Sequence, residues 1–326
     1  YARGVQIIRP TDKKSTLMRM RKNLEFGGND RNHATFIAHD WRNKRISKIS
    51  TDPLLTTNYF EAAGNDLPLE LSPSFFKPEV LSKYKADTQK YTIDDVNRRI
   101  SCRHLWELRS FDVNEAGQIS AYICDLRHLP EQELEHWKQY NEKPKGTISA
   151  RALCTDFKGE CATEEQIEPL VKIKAILSKW SEAGYLWWTI KDQSLMQATT
   201  APFTNSSDEH SGSFLNLTKL VIEGFNTKEI RKYLEKNRIQ FGNHEGSIKL
   251  LEKIINQYDP HHSIDNGLEE ANLLRNKLKG HSSQVTASKL RREAIKNHGT
   301  YNKHFQFICA SIYEQLLIIG RCFADK

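Results

Sequence analysis

From Glu164 to Phe323 the apolar residues recur three and four positions apart in segment after segment, and a chain patterned in this way folds as packed amphipathic helices. The segments are EEQIEPLVKIKAILSKWSEA, SFLNLTKLVIEGF, TKEIRKYLEKN, GSIKLLEKIINQY, LEEANLLRNKLK and YNKHFQFICASIYEQLLIIGRCF. In the second, Phe214, Leu217, Leu220 and Val221 share a face; in the fourth, Ile248, Leu251, Ile254 and Ile255 do. The pattern predicts a helical bundle.

The half before residue 160 has another texture. Its first sixty residues are polar and basic, with one predicted strand over residues 33–40 (HATFIAHD) and no recognisable core before Pro78. RRISCRHLWELRSF and QISAYICDL, rich in β-branched and aromatic residues and separated by the turn-forming NEAG, predict a β-hairpin over residues 100–126. Pro130 then opens a helix. The expected fold is an α+β domain over residues 1–160, then an all-α helical-bundle domain over residues 161–326. Residues 199–212 (TTAPFTNSSDEHSG) read as an exposed loop or a linker into the bundle.

Composition narrows the class. Of 326 residues, 38% are hydrophobic and six are tryptophan, which is enough for real cores. Neither an apolar run of roughly 18 residues nor a signal peptide is visible, so a cytoplasmic protein with no membrane partner is expected. The chain begins with Tyr1, which fits a processed product or a piece of a longer protein. Six cysteines with no C-x-x-C pair point to reduced thiols, with no metal centre and no cofactor. The net charge of +7 favours a polyanionic partner.

One segment carries candidate chemistry. LEEANLLRNKLKGHSS places Arg275, Asn276 and, after four more residues, His281 near the end of an amphipathic helix, and this resembles the signature of the HEPN ribonucleases, an Arg separated from a His by four to six residues. Spacing alone is a weak witness. Random placement of 19 arginines and 12 histidines gives about two such pairs. Six pairs fit: Arg98 and Arg99 with His104, Arg238 with His244, Arg275 with His281, and Arg291 and Arg292 with His298. Only Arg275 is followed by Asn. Six residues of continuous helix would set Arg275 and His281 about 240° apart, and Gly280 is the residue that lets the chain leave the helix and fold back.

The resemblance implies a HEPN-like bundle that cleaves RNA without a metal, with products ending in a 2′,3′-cyclic phosphate and a 5′-hydroxyl. It also implies a homodimer, in a toxin or antiviral-defence system, with the N-terminal domain sensing a trigger or recruiting a partner. The residue types suit this chemistry. Imidazole titrates near neutrality, so His281 is the proton-transferring group; the guanidinium of Arg275 holds two phosphoryl oxygens; Asn276 assists it; Lys277 and Lys279 attract the RNA backbone. Glu245 and Lys249 form a possible accessory pair, with a surface salt bridge as the simpler reading. The apolar excess of Phe305, Phe307, Ile308, Ile312, Leu316, Leu317, Ile318 and Ile319 suggests a partner helix from a second copy.

Other residues invite weaker readings. Asp208 and Glu209 suit a helix N-terminus, His261 and His262 lack further metal ligands, and Trp187 and Trp188 fit either a core or a base-stacking surface. Two other functions suit the same sequence: a catalytically silent RNA-binding or dimerisation module, and a regulatory subunit of a defence complex.

Overall fold

The computed structural model describes residues 32–103, 105–159, 163–258, 266–279 and 284–324. The chain divides into two compact units, Tyr1–Gln166 and Ile167–Lys326. The first contains two sheets and short helices; the second is helical.

In the first unit, β1 (Thr35–Asp40) and β2 (Arg45–Ser50) form a hairpin in register from Thr35↔Ser50 to Asp40↔Arg45. Alternation buries Phe36, Ala38 and Asp40 on one face of β1. β3 (Pro73–Phe76) pairs with β1, and its four residues are all buried. These strands form a core in the stretch where the sequence reading found none. The second sheet is β4 (Tyr91–Asp94), β5 (Arg99–Cys102) and β6 (Trp106–Leu108). β7 (Asp112–Val113) and β8 (Ile119–Tyr122) belong to the first sheet, where β8 pairs with β3.

The hairpin expected over residues 100–126 is therefore corrected. Its NEAG turn exists, between β7 and β8, but the Ile100 strand pairs with β4 and β6 in the other sheet. A two-residue period shows that a segment is a strand without naming its neighbour. Helix α1 (Glu131–Tyr140) follows Pro130 as expected and sets Trp137 edge-on against Phe76, with ring centroids 4.7 Å apart.

The helices of ten or more residues in the second unit are α2 (Pro169–Ala183), α3 (Ser207–Val221), α4 (Thr227–Lys236), α5 (Ser247–Tyr258), α6 (Gly267–Lys279), α7 (Gln284–His298) and α8 (Tyr301–Ala324). Their ends follow local chemistry. Pro169 opens α2, Gly184 closes it in the left-handed conformation with φ 66°, and the Ser206 and Asn226 side chains cap α3 and α4.

Helix α8 packs against α2, α3, α5, α6 and α7, burying Phe305, Ile308, Cys309, Ile312, Leu316 and Ile319. Most of its apolar positions are thus covered by helices of its own chain, with Phe307 left 46% exposed and Leu317 half-buried. Gly267 lets α6 approach closely, since a Cβ there would stand 2.7 Å from the Ile312 backbone nitrogen.

Residues 199–212 fall within the helical unit, and their first part is buried, while Asn205, Ser206 and Asp208 are exposed. Thr199, Ala201, Phe203 and Thr204 are buried, and the Glu209 carboxylate accepts hydrogen bonds from the Phe203 and Thr204 backbone N–H groups at 2.9 Å each. Polar composition marked the segment as a loop, but two of its backbone N–H groups are satisfied by Glu209 from within the unit. Among the described residues no helix is long and apolar enough to cross a membrane.

Candidate functional site

Helix α6 buries Leu268, Ala271, Leu274 and Leu278, spaced three and four apart. Arg275 lies at the flank of that stripe, 29% exposed, with Nη2 2.8 Å from Oε1 of Glu223, whose side chain is 42% exposed. Glu223 sits in the turn that follows α3. The turn is held tightly: the Trp188 indole donates to the Val221 carbonyl at 3.0 Å, and a Cβ on Gly224 would meet Trp188 Nε1 at 2.4 Å. An ion pair this exposed contributes about 0–1 kcal/mol, so a phosphate can replace the carboxylate on the guanidinium.

Next to Arg275, Asn276 is exposed and Lys277 half-buried. The Lys279 side chain, Gly280 and His281 lie outside the described residues. Glu245 precedes α5 and pairs with Lys253 at 3.3 Å, while Lys249, its expected partner, is exposed. The reason is geometric: Glu245 lies before the helix begins, where the i,i+4 rule does not apply. Asp208 is exposed in the first turn of α3, and the Glu209 carboxylate serves the preceding loop. Trp187 and Trp188 are buried, and His261 and His262 lie outside the described residues. No group of three or more His, Cys, Asp or Glu side chains able to hold a metal occurs among the described residues.

The other end of α3 holds a cluster of which the sequence reading named only Arg291 and His298, as one of the six spaced pairs. His210, 1% exposed, and His304 of α8, 6% exposed, face each other with Nε2 and Nδ1 3.1 Å apart. The His210 ring stacks on Tyr301 with centroids 4.1 Å apart and lies edge-on to Phe214. His298, at the end of α7, lies 4.9 Å from His304 by ring centroids, and Arg291 of α7 donates to Ser211 Oγ at 3.4 Å. Burial pushes the His210 pKa down to about 3, helped by His304 and Arg291; burial and then His298 push His304 down to about 4.

Both rings are neutral at pH 7. A neutral imidazole has one donor and one acceptor, which permits the single N–H···N bond between them. Groups that resist protonation this strongly are poor bases near neutrality, so His210 and His304 are suited to packing rather than to proton transfer at pH 7. Its traces in the sequence are the spacing of Arg291 and His298, one of the six pairs, and His210 four positions before Phe214 on the buried face of α3.

His210 and Glu223 are thirteen positions apart, so the two ends are separated by roughly 20 Å at 1.5 Å per helical residue. Glu223, the partner of Arg275, was also missed, because nothing local links positions so distant in the chain. No protein-family model, curated protein or solved structure matches the chain.

Proposed function

We propose that the helical unit is a HEPN-like domain that cleaves RNA without a metal ion, with Arg275 on the scissile phosphate and His281 moving the proton, in a bacterial toxin or antiphage-defence setting. The observation that supports this reading is the state of Arg275: a half-exposed guanidinium near the end of α6, tied to one exposed carboxylate and flanked by Asn276 and Lys277. In the reaction the ribose 2′-oxygen loses its proton to a base and bonds to phosphorus. The P–O5′ bond breaks, and the departing oxygen takes a proton. Charge accumulating on the phosphoryl oxygens is met by the guanidinium, and imidazole handles the protons. Asn276 hydrogen-bonds the phosphate, and Lys277 and Lys279 attract the flanking backbone. A homodimer would join two such motifs, with the N-terminal unit binding a regulatory partner.

The Arg275–Glu223 pair also favours a second reading, in which the arginine only braces α6 against the turn after α3 and the unit is a silent RNA-binding or dimerisation module. Analysis of product ends separates the two. A cyclic phosphate on the 5′ fragment, lost in Arg275→Lys, supports catalysis; a linear phosphate, or no cleavage by the parent chain, removes it.

A further inference from the structure

A cleft of about 390 Å³ opens on the helical unit. Its wall is an aromatic column: Tyr185 stacks on Trp187 with centroids 5.2 Å apart, Trp187 stacks on Phe323 at 4.7 Å, and Phe323 meets Tyr233 at 4.5 Å. Its rim carries Lys232 and Lys236, one turn apart on α4, together with Glu229. Glu229 is paired with Lys232 at 2.7 Å, and Lys236 is exposed with no ion-pair partner among the described residues, so the rim keeps a positive charge.

Trp187 is 6% exposed, its faces taken by Tyr185 and Phe323, so the part of the column open to a ligand is Tyr185, Tyr233 and Phe323, each half-exposed. The wall is also tied to Arg275: Asn226 N–H donates to the Trp187 carbonyl at 2.9 Å and Thr189 N–H to the Gly224 carbonyl at 3.0 Å, while Glu223, next to Gly224, holds the arginine.

We infer that this cleft binds one unpaired base of single-stranded RNA, stacked on the aromatic column, with Lys232 and Lys236 on the adjoining phosphates and the strand continuing to Arg275. The inference rests on the RNA-cleaving reading for the class of its ligand. A base offers a π-face to the half-exposed aromatics of the column, and the cleft volume lies within the range of small-ligand sites. An apolar peptide would also stack on aromatics, but the lysine rim favours a polyanion.

The test is binding without cleavage. The full chain is titrated against a fluorescently labelled eight-nucleotide 2′-O-methyl RNA, which lacks the attacking hydroxyl, and against an abasic strand of the same length. Tyr185→Ala, at a half-exposed position, is expected to weaken binding of the base-bearing strand about tenfold or more, and the abasic strand is expected to bind as weakly to the parent chain. Lys236→Ala is expected to reduce the log–log salt slope by about 0.7 unit for single strands. Equal affinity for the two strands, or no effect of Tyr185→Ala in a variant with the parental circular dichroism spectrum, overturns the inference even if the chain still cuts RNA. Tyr185-dependent binding in a chain that cuts nothing upholds the cleft and removes the nuclease reading.

Discussion

The two ends of α3 handle charge in opposite ways. At its start, His210 and His304 are packed between Tyr301 and Phe214, closed to water and held neutral. Beyond its last turn, Arg275 and Glu223 keep their charges half in solvent and hold each other weakly. A titratable group deep in a core has traded its reactivity for packing, whereas a permanently charged one at the surface, loosely partnered, stays free to meet an anion.

The contrast breaks most visibly under substitution of the proposed catalytic pair. His281→Ala is expected to lower the RNA cleavage rate about a hundredfold or more with affinity little changed, and Arg275→Lys to be tolerated poorly because lysine keeps the charge but loses the two-pronged geometry. Steady-state kinetics and binding on folded variants check this. Parental rates in both would move the active site elsewhere.

A smaller but still large effect belongs to the closed end. The folded pKa values of His210 and His304 lie below the ordinary 6.5, at about 3 and about 4, so the unfolded chain binds protons that the native chain refuses. Stability is therefore full above pH 6.5 and falls as pH drops, by about 1.4 kcal/mol per pH unit for each histidine, until the folded pKa values are reached. Denaturant melts between pH 7 and 4.5 measure the slope, and a His304→Phe variant should roughly halve it. A slope unchanged in that variant would mean that the cluster is not what titrates.

Glu223→Gln sharpens the open end. Removing a half-exposed carboxylate should cost at most about 1 kcal/mol of stability. RNA affinity should rise a few-fold, because the arginine no longer has a competing anion. Weaker binding would instead mean that Glu223 positions the arginine. The smallest effect is expected at Lys277→Ala: uniformly weaker binding with a log–log salt slope shallower by about 0.7 unit on single-stranded RNA.

Helix positions were legible where the pattern was local. TKEIRKYLEKN and GSIKLLEKIINQY correspond to α4 and α5 almost residue for residue, because each carries an apolar stripe of its own. The partner of Ile100 was not legible, since strand pairing is decided by chain far away. Burial of residues 199–212 was hidden for a related reason: Glu209 and Asn302 supply its hydrogen bonds, and composition does not show who satisfies whom. At the candidate site the sequence named Arg275 and its neighbours on α6, and Trp187 as a core or base-stacking residue, but neither Glu223 nor the other aromatics of the cleft, which come from separate segments. The apolar positions of α8 follow the same rule: most of them face other helices of the same chain, which a count along one helix does not show.

The most direct test of the central claim is RNA cleavage by the full chain in excess chelator. Arg275, His281 and Asn276 include no carboxylate of the kind hard divalent cations prefer. Cleavage at an undiminished rate, leaving 2′,3′-cyclic phosphate ends and abolished by His281→Ala, is the expected result. Loss of all cleavage in chelator, restored by adding magnesium, would contradict it.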